Sequence, residues 1–382
     1  MSNIHLNGAM DLERIREGTT SFFAPRQDPT HTFPPASTAV FFNTRMELNR
    51  DATVLLVSIL KPDRYLDAMG ATGVRGLRIA NECGVPVTIN DRNSDAVDLI
   101  EQNAEEYGEL VQITQADVNV LLSGRRFDAV DIDPFGTPAY FVDAAARSAS
   151  RYLFITATDT APLCGAHLRA GMRRYFARPM NTEYHSEVGL RILLGFAARE
   201  VVKYDRGVEP LFCFAREHFV RLHLLLSNGA EAADRTLARI GFVHQCPKCP
   251  NRIEEHGLVA RTHICPECAS VLQPIGPLWL GTVSDRPLLA SMKDHLNGKE
   301  LGKKAQLQRL IETCEGELDT ASFYDYHRLT KQWRVSPPDI ATLLQRLRER
   351  GFAASRTHHA GTGFKTDAPI GVIKEVLTLT HG

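Results

Sequence analysis

The chain has 382 residues, of which 43% are hydrophobic and 23% are charged. This length predicts two or three domains, and the composition is typical of a globular protein with apolar cores. The formal net charge is −1. The chain as a whole therefore carries no basic signal for nucleic acid, and any such site must be a local patch.

The sequence predicts neither a secretion signal nor a membrane span. Residues 1–16 mix polar and charged side chains and lack an apolar core. The longest apolar run, Val54–Leu60, is far shorter than the roughly 18 residues that a bilayer requires. The eight cysteines do not follow the spacing of a secreted disulfide framework. We therefore expect a cytoplasmic protein with reduced thiols and no membrane partner.

Strand and helix patterns alternate from about Arg64 to Ser227, which is typical of a doubly wound, mostly parallel sheet. Helical spacing follows the first strand and again the second. Two late strands, 211–215 and 220–226, are separated by a short polar turn and should pair antiparallel. The five earlier strands are predicted at 64–69, 86–91, 111–114, 127–132 and 151–156.

The pattern changes near Asn228, where we place the boundary between an N-terminal domain, 1–227, and a C-terminal α+β domain, 228–382. In the latter, Ser336 is predicted to cap a helix whose first turn holds Pro337 and Asp339. Gly351 is predicted to end that helix.

Two Cys-x-x-Cys pairs, Cys246/Cys249 and Cys265/Cys268, are separated by 15 residues. Two such knuckles can supply four thiolates in a tetrahedron, which predicts a structural zinc site in a ribbon spanning 244–270. A pair of redox dithiols is a less favoured interpretation at this spacing.

Acidic residues follow successive strands of the predicted sheet, at the edge where open α/β sheets bind ligands. The first strand runs into Asp67-x-x-Gly70-x-x-Gly73-x-x-Gly76, and Asp91 and Asp117 follow the second and third strands. Asp91 suits the ribose hydroxyls of an adenine nucleoside, and Asp117 suits the adenine amino group. Together with Asp133-Pro134-Phe135 after the fourth strand, this layout predicts a class I S-adenosylmethionine methyltransferase domain.

Each of these features has a simpler interpretation on its own. A single acid at a strand end is more often solvated or caps a helix, and Asp-Pro-x-Gly also forms ordinary tight turns. A nicotinamide-binding dehydrogenase would carry Gly-x-Gly-x-x-Gly, which this loop does not match.

Asp133 and Phe135 suggest the class of substrate. A carboxylate accepts hydrogen bonds from an amino group, and an aromatic face stacks on a planar base. The pair therefore suits an enzyme that acts on the exocyclic amine of a nucleobase.

Several long motifs run in order from about Gly18 to Pro369. They are Phe41–Asp51, Ala71–Arg78, Asp133–Pro138, Ala157–Gly165, Glu187–Leu193, Ser355–His358 and Gly363–Thr366. Over this span the chain resembles the tRNA guanine 26 N2-dimethyltransferase family. Thr137 stands where Ser is common, and the cysteine segment is a variable part of the family.

The resemblance implies a tRNA substrate and assigns site residues. It implies that Asp133 is catalytic and that Phe41 and Phe135 flank the target base. The chemistry of an amino group with two hydrogens leads us to expect a second acceptor beside Asp133, such as the backbone carbonyl of Pro134. Besides Gly70 of the glycine loop, the residues expected to bind S-adenosylmethionine are Arg50, Arg75, Asp91, Asp117 and Val118.

Two basic patches are candidates for phosphate contacts. Residues 331–365 hold seven basic and two acidic side chains, and a second patch surrounds Arg173 and Arg174. A charge run is usually a solvated helix face, but the resemblance favours RNA contacts that weaken with salt. The C-terminal candidates are Arg346, Arg348, Arg350, Arg356 and Lys365.

Two other functions stay open: an N-methyltransferase with another RNA target, and a non-catalytic tRNA-binding protein with an idle methyltransferase fold. The presence of Asp91, Asp117 and Asp133 counts against the idle fold. No obligate protein partner is evident from the sequence.

Overall fold

The computed structural model describes residues 11–27 and 39–378. Most of the N-terminal segment that was predicted to lack a secretion signal, residues 1–10, lies outside this part. Among the described residues, no helix combines the length and apolarity that crossing a membrane would require.

Strands and helices alternate through the first half, as predicted. In chain order the strands are β1 Leu12–Glu17, β2 Thr20–Pro25, β3 Tyr65–Asp67, β4 Val87–Asp91, β5 Val111–Gln115, β6 Phe127–Ile132, β7 Ala149–Ala157, β8 Arg206–Pro210, β9 Phe214–Arg216, β10 Phe219–Asn228, β11 Ile240–Gln245, β12 Arg252–His256, β13 Gln273–Trp279, β14 Tyr324–Asp325, β15 Ala354–Arg356 and β16 Gly363–Thr366. The α-helices are α1 Glu47–Leu60, α2 Val74–Cys83, α3 Ser94–Ala104, α4 Val118–Gly124, α5 Val142–Ser148, α6 Thr160–Leu163, α7 Leu168–Tyr175, α8 His185–Val202, α9 Ala230–Leu237, α10 Arg286–Leu296, α11 Lys304–Gly316, α12 Tyr326–Trp333, α13 Ile340–Glu349 and α14 Ile370–Thr378. Short 3₁₀ helices occupy Thr44–Met46 and Glu105–Leu110.

The chain divides into two compact units, and neither is a continuous piece of sequence. Unit 1 comprises the described residues up to Pro134, then Tyr140–Ile155 and Pro287–Ile311. Unit 2 comprises Phe135–Ala139, Thr156–Arg286 and the described residues from Glu312 onward. The chain therefore does not divide at residue 227, where the change of pattern had suggested a boundary.

Unit 1 contains a parallel sheet of the predicted kind. The strands run in the order β5-β4-β3-β6-β7, and every neighbouring pair is parallel. β3, β4, β6 and β7 are mostly buried, as expected for strands covered on both faces, whereas β5, at the edge of the sheet, has no fully buried residue. The five predicted strands all exist, with ends that differ by at most two residues.

Unit 2 contains most of the antiparallel pairs, and in unit 1 β1 pairs antiparallel with β2. β10 pairs with both β8 and β9, β11 pairs with β12 and β13, and β16 pairs with β14 and β15. The predicted strand at 211–215 is shifted, because only Phe214 and Ala215 join β9, and β8 was missed. The last sheet and helices α12 to α14 share a core that includes Leu343, Leu347 and Phe364.

The C-terminal helix α13 begins later than predicted. Asp339, not Ser336, is its N-cap, and its carboxylate accepts from the backbone N–H groups of Ala341 at 2.8 Å and Thr342 at 3.3 Å. Both prolines precede the helix. The stop at Gly351 is close to the prediction, since α13 ends at Glu349 and Gly351 adopts a φ of +88°.

Candidate active site

The candidate site of unit 1 lies where the order of its parallel strands reverses. β3 is bordered by β4 on one side and β6 on the other, so the connections leave this pair in opposite directions. Crevices outside the carboxyl ends of such strands are the ligand sites of open α/β sheets. Asp67 ends β3, Asp91 ends β4, and Asp133 follows β6 by one residue.

The glycine loop is tightly packed and braced by Asp91. A side chain on Gly70 would collide with Ile89, and Gly73 has a φ of +80° at the start of α2. Asp91 Oδ2 accepts from the N–H of Ala71 at 2.9 Å, and Oδ1 accepts from the N–H of Asn93 at 2.9 Å. Each carboxylate oxygen retains a second lone pair, so Asp91 can still accept hydrogen bonds from ribose hydroxyls.

Asp117 is the N-cap of α4, which is the simpler of the two roles that its position in the sequence allows. Its Oδ1 accepts from the N–H groups of Asn119 at 2.9 Å and Val120 at 3.3 Å. The side chain is exposed, and this cap uses one of its two oxygens. Val118 is buried and opens the helix, where backbone N–H groups have no partner within the helix.

Arg75 connects α1, α2 and β6 beside Asp133. Its guanidinium is 5% exposed and donates to Asn49 Oδ1 at 2.9 Å and Thr53 Oγ1 at 3.3 Å. It also donates to the carboxylate of Asp133 and lies 3.6 Å from that of Asp131. Arg75, which was expected to bind S-adenosylmethionine, thus also holds the candidate catalytic acid.

Burial and neighbouring charges shift the pKa values of Asp67 and Arg75. Burial raises the pKa of Asp67 to about 7, and the nearby Arg75 offsets only part of the shift. Burial lowers the pKa of Arg75, but Asp131 and Asp133 outweigh it, so the pKa lies above its usual value. Arg75 is therefore always charged. A carboxylate with a raised pKa beside a buried arginine in such a crevice is typical of functional sites.

Arg50 is engaged elsewhere in unit 1. Its Nε donates to Glu17 at 2.7 Å, and the guanidinium lies 5.3 Å from the ring centre of Phe42. Burial tends to raise the pKa of Glu17, but Arg50 and Arg78 outweigh it and lower that pKa. Phe41, the neighbour of Phe42, is half-buried. Any ligand contact of Arg50 would have to share the guanidinium with Glu17.

In unit 2, the loop that begins with Phe135 is fixed by hydrogen bonds. Phe135 is 75% exposed, and the N–H of Gly136 donates to Thr158 Oγ1 at 2.9 Å. Tyr175 Oη donates to Asp159 at 2.6 Å, so the 2.9 Å bond between Tyr175 and Thr137 has Thr137 as its donor. The loop therefore presents an aromatic face from a fixed backbone, whereas Pro134, before it in unit 1, is buried.

The four paired cysteines converge in unit 2. Their sulfur atoms all lie within 4.8 Å of one another, with Cys246 and Cys268 at 3.4 Å and Cys249 and Cys265 at 3.5 Å. Four thiolates around a zinc ion at about 2.3 Å would be separated by distances of this order. The N–H of Cys249 also points at Cys246 Sγ, at 3.4 Å. The residues thus fit a closed structural zinc site.

The predicted basic patches are partly committed to protein partners. Arg350 pairs with Glu375 at 2.5 Å, Arg348 donates to the carbonyl of Ala354, and Arg174 pairs with Asp159 at 3.0 Å. Arg173 and Arg356 are exposed, and Arg346 is half-buried.

Lys365 requires a correction. It is 1% exposed, and its Nζ lies 2.8 Å from Glu187 and 3.0 Å from Glu317. A buried ammonium with two carboxylate partners is not available to a phosphate, so we remove Lys365 from the RNA candidates.

Sequence reasoning missed the residues that support the site. Asp131 carried a signal, because a charge inside a buried strand needs a buried partner. Asn49, Thr53 and Tyr175 carried none, since their roles depend on contacts between elements far apart in the sequence.

The parallel sheet, the reversal of strand order and the acids at its strand ends define a class I methyltransferase-type domain. The model of the family N2,N2-dimethylguanosine tRNA methyltransferase matches residues 22–378. The chain is 61% identical over 369 residues to the tRNA (guanine(26)-N(2))-dimethyltransferase of Methanoculleus marisnigri, covering 97% of this chain and 100% of the relative. It is 45% identical to that of Methanosarcina mazei, over 98% of this chain and 100% of the relative.

A solved structure supports the same family assignment. Trm1 from Pyrococcus horikoshii, in complex with S-adenosyl-L-methionine, superposes with a TM-score of 0.86 at 35% identity, covering 96% of this chain and 100% of that chain. The chain therefore belongs to the N2,N2-dimethylguanosine tRNA methyltransferase family.

Proposed function

We propose that this protein is an S-adenosylmethionine-dependent enzyme that methylates the exocyclic N2 of guanine 26 in tRNA once or twice. The observation that carries the proposal is Asp133, which follows the central strand β6 and is held by the guanidinium of Arg75. Membership of the family and high identity to relatives named for this reaction support it.

S-adenosylmethionine supplies a methyl group already activated on a sulfonium. Asp91 is proposed to accept its ribose hydroxyls, Asp117 its adenine amino group, and the loop from Gly70 to approach it with backbone atoms. Val118 offers a backbone N–H at the start of α4, and Arg50 is proposed to contact the cofactor while its guanidinium stays bound to Glu17. A zinc ion held by the four cysteines would stabilise the ribbon without an open coordination position.

The chemical difficulty lies in guanine N2, whose lone pair is delocalised into the ring. Asp133 Oδ and the carbonyl of Pro134 are proposed to accept the two N2 hydrogens, which favours a nucleophilic, tetrahedral nitrogen. Arg75 keeps the Asp133 carboxylate in one orientation. Such positioning by fixed groups is a large part of enzymatic rate enhancement. Asp133 is then proposed to receive the departing proton.

Phe135 and Phe41 are proposed to hold the target base by stacking. Each stacked base contributes roughly 1–3 kcal/mol, which helps offset the few kcal/mol needed to take a base out of an RNA stem. The exposed Arg173 and Arg356, with Arg346, Arg348 and Arg350, are proposed to contact tRNA phosphates.

The test is mass spectrometry of nucleosides from an unmodified tRNA transcript incubated with the protein and S-adenosylmethionine. N2-methylated guanosine, absent when guanine 26 is replaced by adenine, is the expected result. Methylation that survives this replacement points to another RNA target. Cofactor and tRNA binding without methylation on any transcript indicates the idle, tRNA-binding version of the fold and overturns the proposal.

A further inference from the structure

Helix α7 of unit 2 presents an exposed face of which the proposed function uses only Arg173. Leu168, Met172 and Phe176 follow one another at four-residue spacing and are 38%, 49% and 72% exposed. Arg169 and Arg173 fall on the same side of the helix and are also exposed. Scattered apolar side chains on a surface are ordinary, but a contiguous patch rimmed by charge marks an interaction site.

Phe176 is held outward by an unusual backbone. It closes α7 in the left-handed region, with φ +47° and ψ +42°, and its N–H donates to the carbonyl of Met172 at 3.1 Å. A bulky residue rarely adopts this conformation, because Cβ crowds the backbone. The neighbouring aromatic, Tyr175, is fully buried, so the two consecutive rings point to opposite environments.

The opposite side of α7 is firmly anchored. Tyr175 Oη bonds to both Asp159 and Thr137, and Arg199 donates to the carbonyl of Tyr175 at 2.8 Å. A side chain on Gly171 would collide with the carbonyl of Pro162. The helix is thus fixed to the loop that carries Phe135, and Thr137 lies two residues beyond that ring.

The charge of this segment matches an anionic partner. Residues 168–178 contain four arginines and no acid, in a chain whose net charge is −1. Arg174 is turned inward to Asp159, whereas Arg169, Arg173 and Arg178 are exposed. An aromatic ring among cationic side chains suits an unstacked base flanked by phosphates. Apolar wedges of this kind fill gaps between base steps in other nucleic-acid complexes.

We propose that this α7 face, Leu168, Arg169, Met172, Arg173 and Phe176, docks the substrate tRNA. Phe176 stacks on an unstacked base of that tRNA, and the arginines contact the adjoining phosphates. The inference rests on the proposed function, because it assigns that same enzyme a second contact with its substrate. It makes Phe176 a positioning residue that does not touch the reacting atoms.

The test compares Phe176→Asn with Phe176→Tyr and Tyr204→Asn. Asn tolerates the left-handed backbone, so Phe176→Asn removes the ring without adding strain. Tyr keeps the ring. Tyr204 is a matched control, an exposed aromatic beside a lysine elsewhere in unit 2. The measurements are the Kd for a tRNA transcript at fixed salt, the Kd for S-adenosylmethionine, and the melting temperature.

We expect Phe176→Asn to raise the tRNA Kd about tenfold, or about 1.4 kcal/mol, with an unchanged cofactor Kd and an equal or higher melting temperature. Phe176→Tyr and Tyr204→Asn should stay within about twofold of the unaltered protein. Arg169→Gln with Arg173→Gln should lower the salt dependence of binding, by about one ion for each phosphate that the arginines no longer neutralise.

An unchanged tRNA Kd in Phe176→Asn, in protein that still methylates guanine 26, overturns the inference and leaves the proposed function standing. Conversely, tRNA binding that depends on Phe176 in protein that methylates nothing refutes the proposed function alone. A dimer that Phe176→Asn converts to monomers, with tRNA affinity unchanged, would assign the face to a second copy of the chain and also overturn the inference.

Discussion

Replacing Asp133 separates its role in chemistry from any role in the fold. Its side chain is 21% exposed and accepts a hydrogen bond from Arg75. In Asp133→Ala, Arg75 keeps Asn49, Thr53 and Asp131 as partners. We therefore expect the variant to fold, with a loss in the free energy of unfolding of about 1–2 kcal/mol.

The expected loss of activity is much larger. Positioned proton transfer contributes typically 10²–10⁴-fold, which is about 3–6 kcal/mol of activation free energy. Asp133→Ala should lose at least this factor in single-turnover methylation of a tRNA transcript, while the Kd for S-adenosylmethionine, measured by calorimetry, changes by less than about threefold. Asp133→Asn keeps one acceptor oxygen but cannot take the proton. Comparing its methylation rate with that of Asp133→Ala therefore separates the contribution of orienting N2 from the contribution of proton transfer.

Two results would contradict the proposed role of Asp133. If Asp133→Ala turned over within about tenfold of the unaltered protein while binding the cofactor equally well, Asp133 would not orient or deprotonate N2. If instead the variant lost cofactor binding and rate together, the Arg75 cluster would be a cofactor site, as the family resemblance had implied for Arg75.

Three further predictions concern the metal, the buried lysine and pH. Metal analysis of protein purified without chelators should find about one zinc ion per chain. The Cys249→Ser variant should lose the zinc ion while still binding S-adenosylmethionine. Unaltered protein without zinc would contradict the assignment of the four cysteines as zinc ligands. Lys365→Met should lower the free energy of unfolding by about 3 kcal/mol, because it leaves Glu187 and Glu317 with only Arg191 and His358 as cations. Calorimetry showing full stability together with weakened tRNA affinity would instead restore Lys365 as an RNA contact. Asp67 has a pKa of about 7 in the folded state, against an ordinary value of 3.8, so the folded state binds its proton more tightly than the unfolded state does. Protonated Asp67 therefore stabilises the fold at low pH, and this contribution to the free energy of unfolding is lost as the pH rises from about 4 to 7. The slope should approach about 1.4 kcal/mol per pH unit within that window and flatten in Asp67→Asn; identical denaturation profiles for the two proteins would exclude the effect.

The parallel sheet was predictable because short segments rich in apolar residues alternate with helical patterns along this part of the chain, and Asp67 and Asp91 end two of the strands. The positions of Asp67, Asp91 and Asp133 followed from that register, since the carboxyl ends of parallel strands share one edge. β8 was missed because Arg206–Pro210 holds a glycine, a glutamate and a proline and does not alternate. Its place depends on pairing with β10.

The fate of individual charges was not predictable from local sequence. Lys365 and its partner Glu187 are separated by 178 positions. The residues next to Lys365 in the sequence therefore do not indicate that its ammonium is buried. Arg75 was assigned to the cofactor by resemblance alone, and its pairing with Asp133 depends on how α2 packs against β3, the neighbour of β6. Charge counts along a chain therefore indicate a patch without indicating which members reach solvent.

The interleaving of the two units has a consequence for synthesis and for engineering. The ribosome delivers the strands of unit 1 early, but Pro287–Ile311 emerges only after Thr156–Arg286. That late segment carries Lys303, whose N–H donates to Asp51 at 2.8 Å, and Lys299, whose Nζ donates to the carbonyl of Glu82 at 2.9 Å. In a nascent chain, α1 and α2 therefore lack their contacts with Pro287–Ile311 until most of the protein has been translated. For the same reason a fragment cut at residue 227 is a poor minimal catalytic domain, because it lacks the final portion of the unit that holds Asp133.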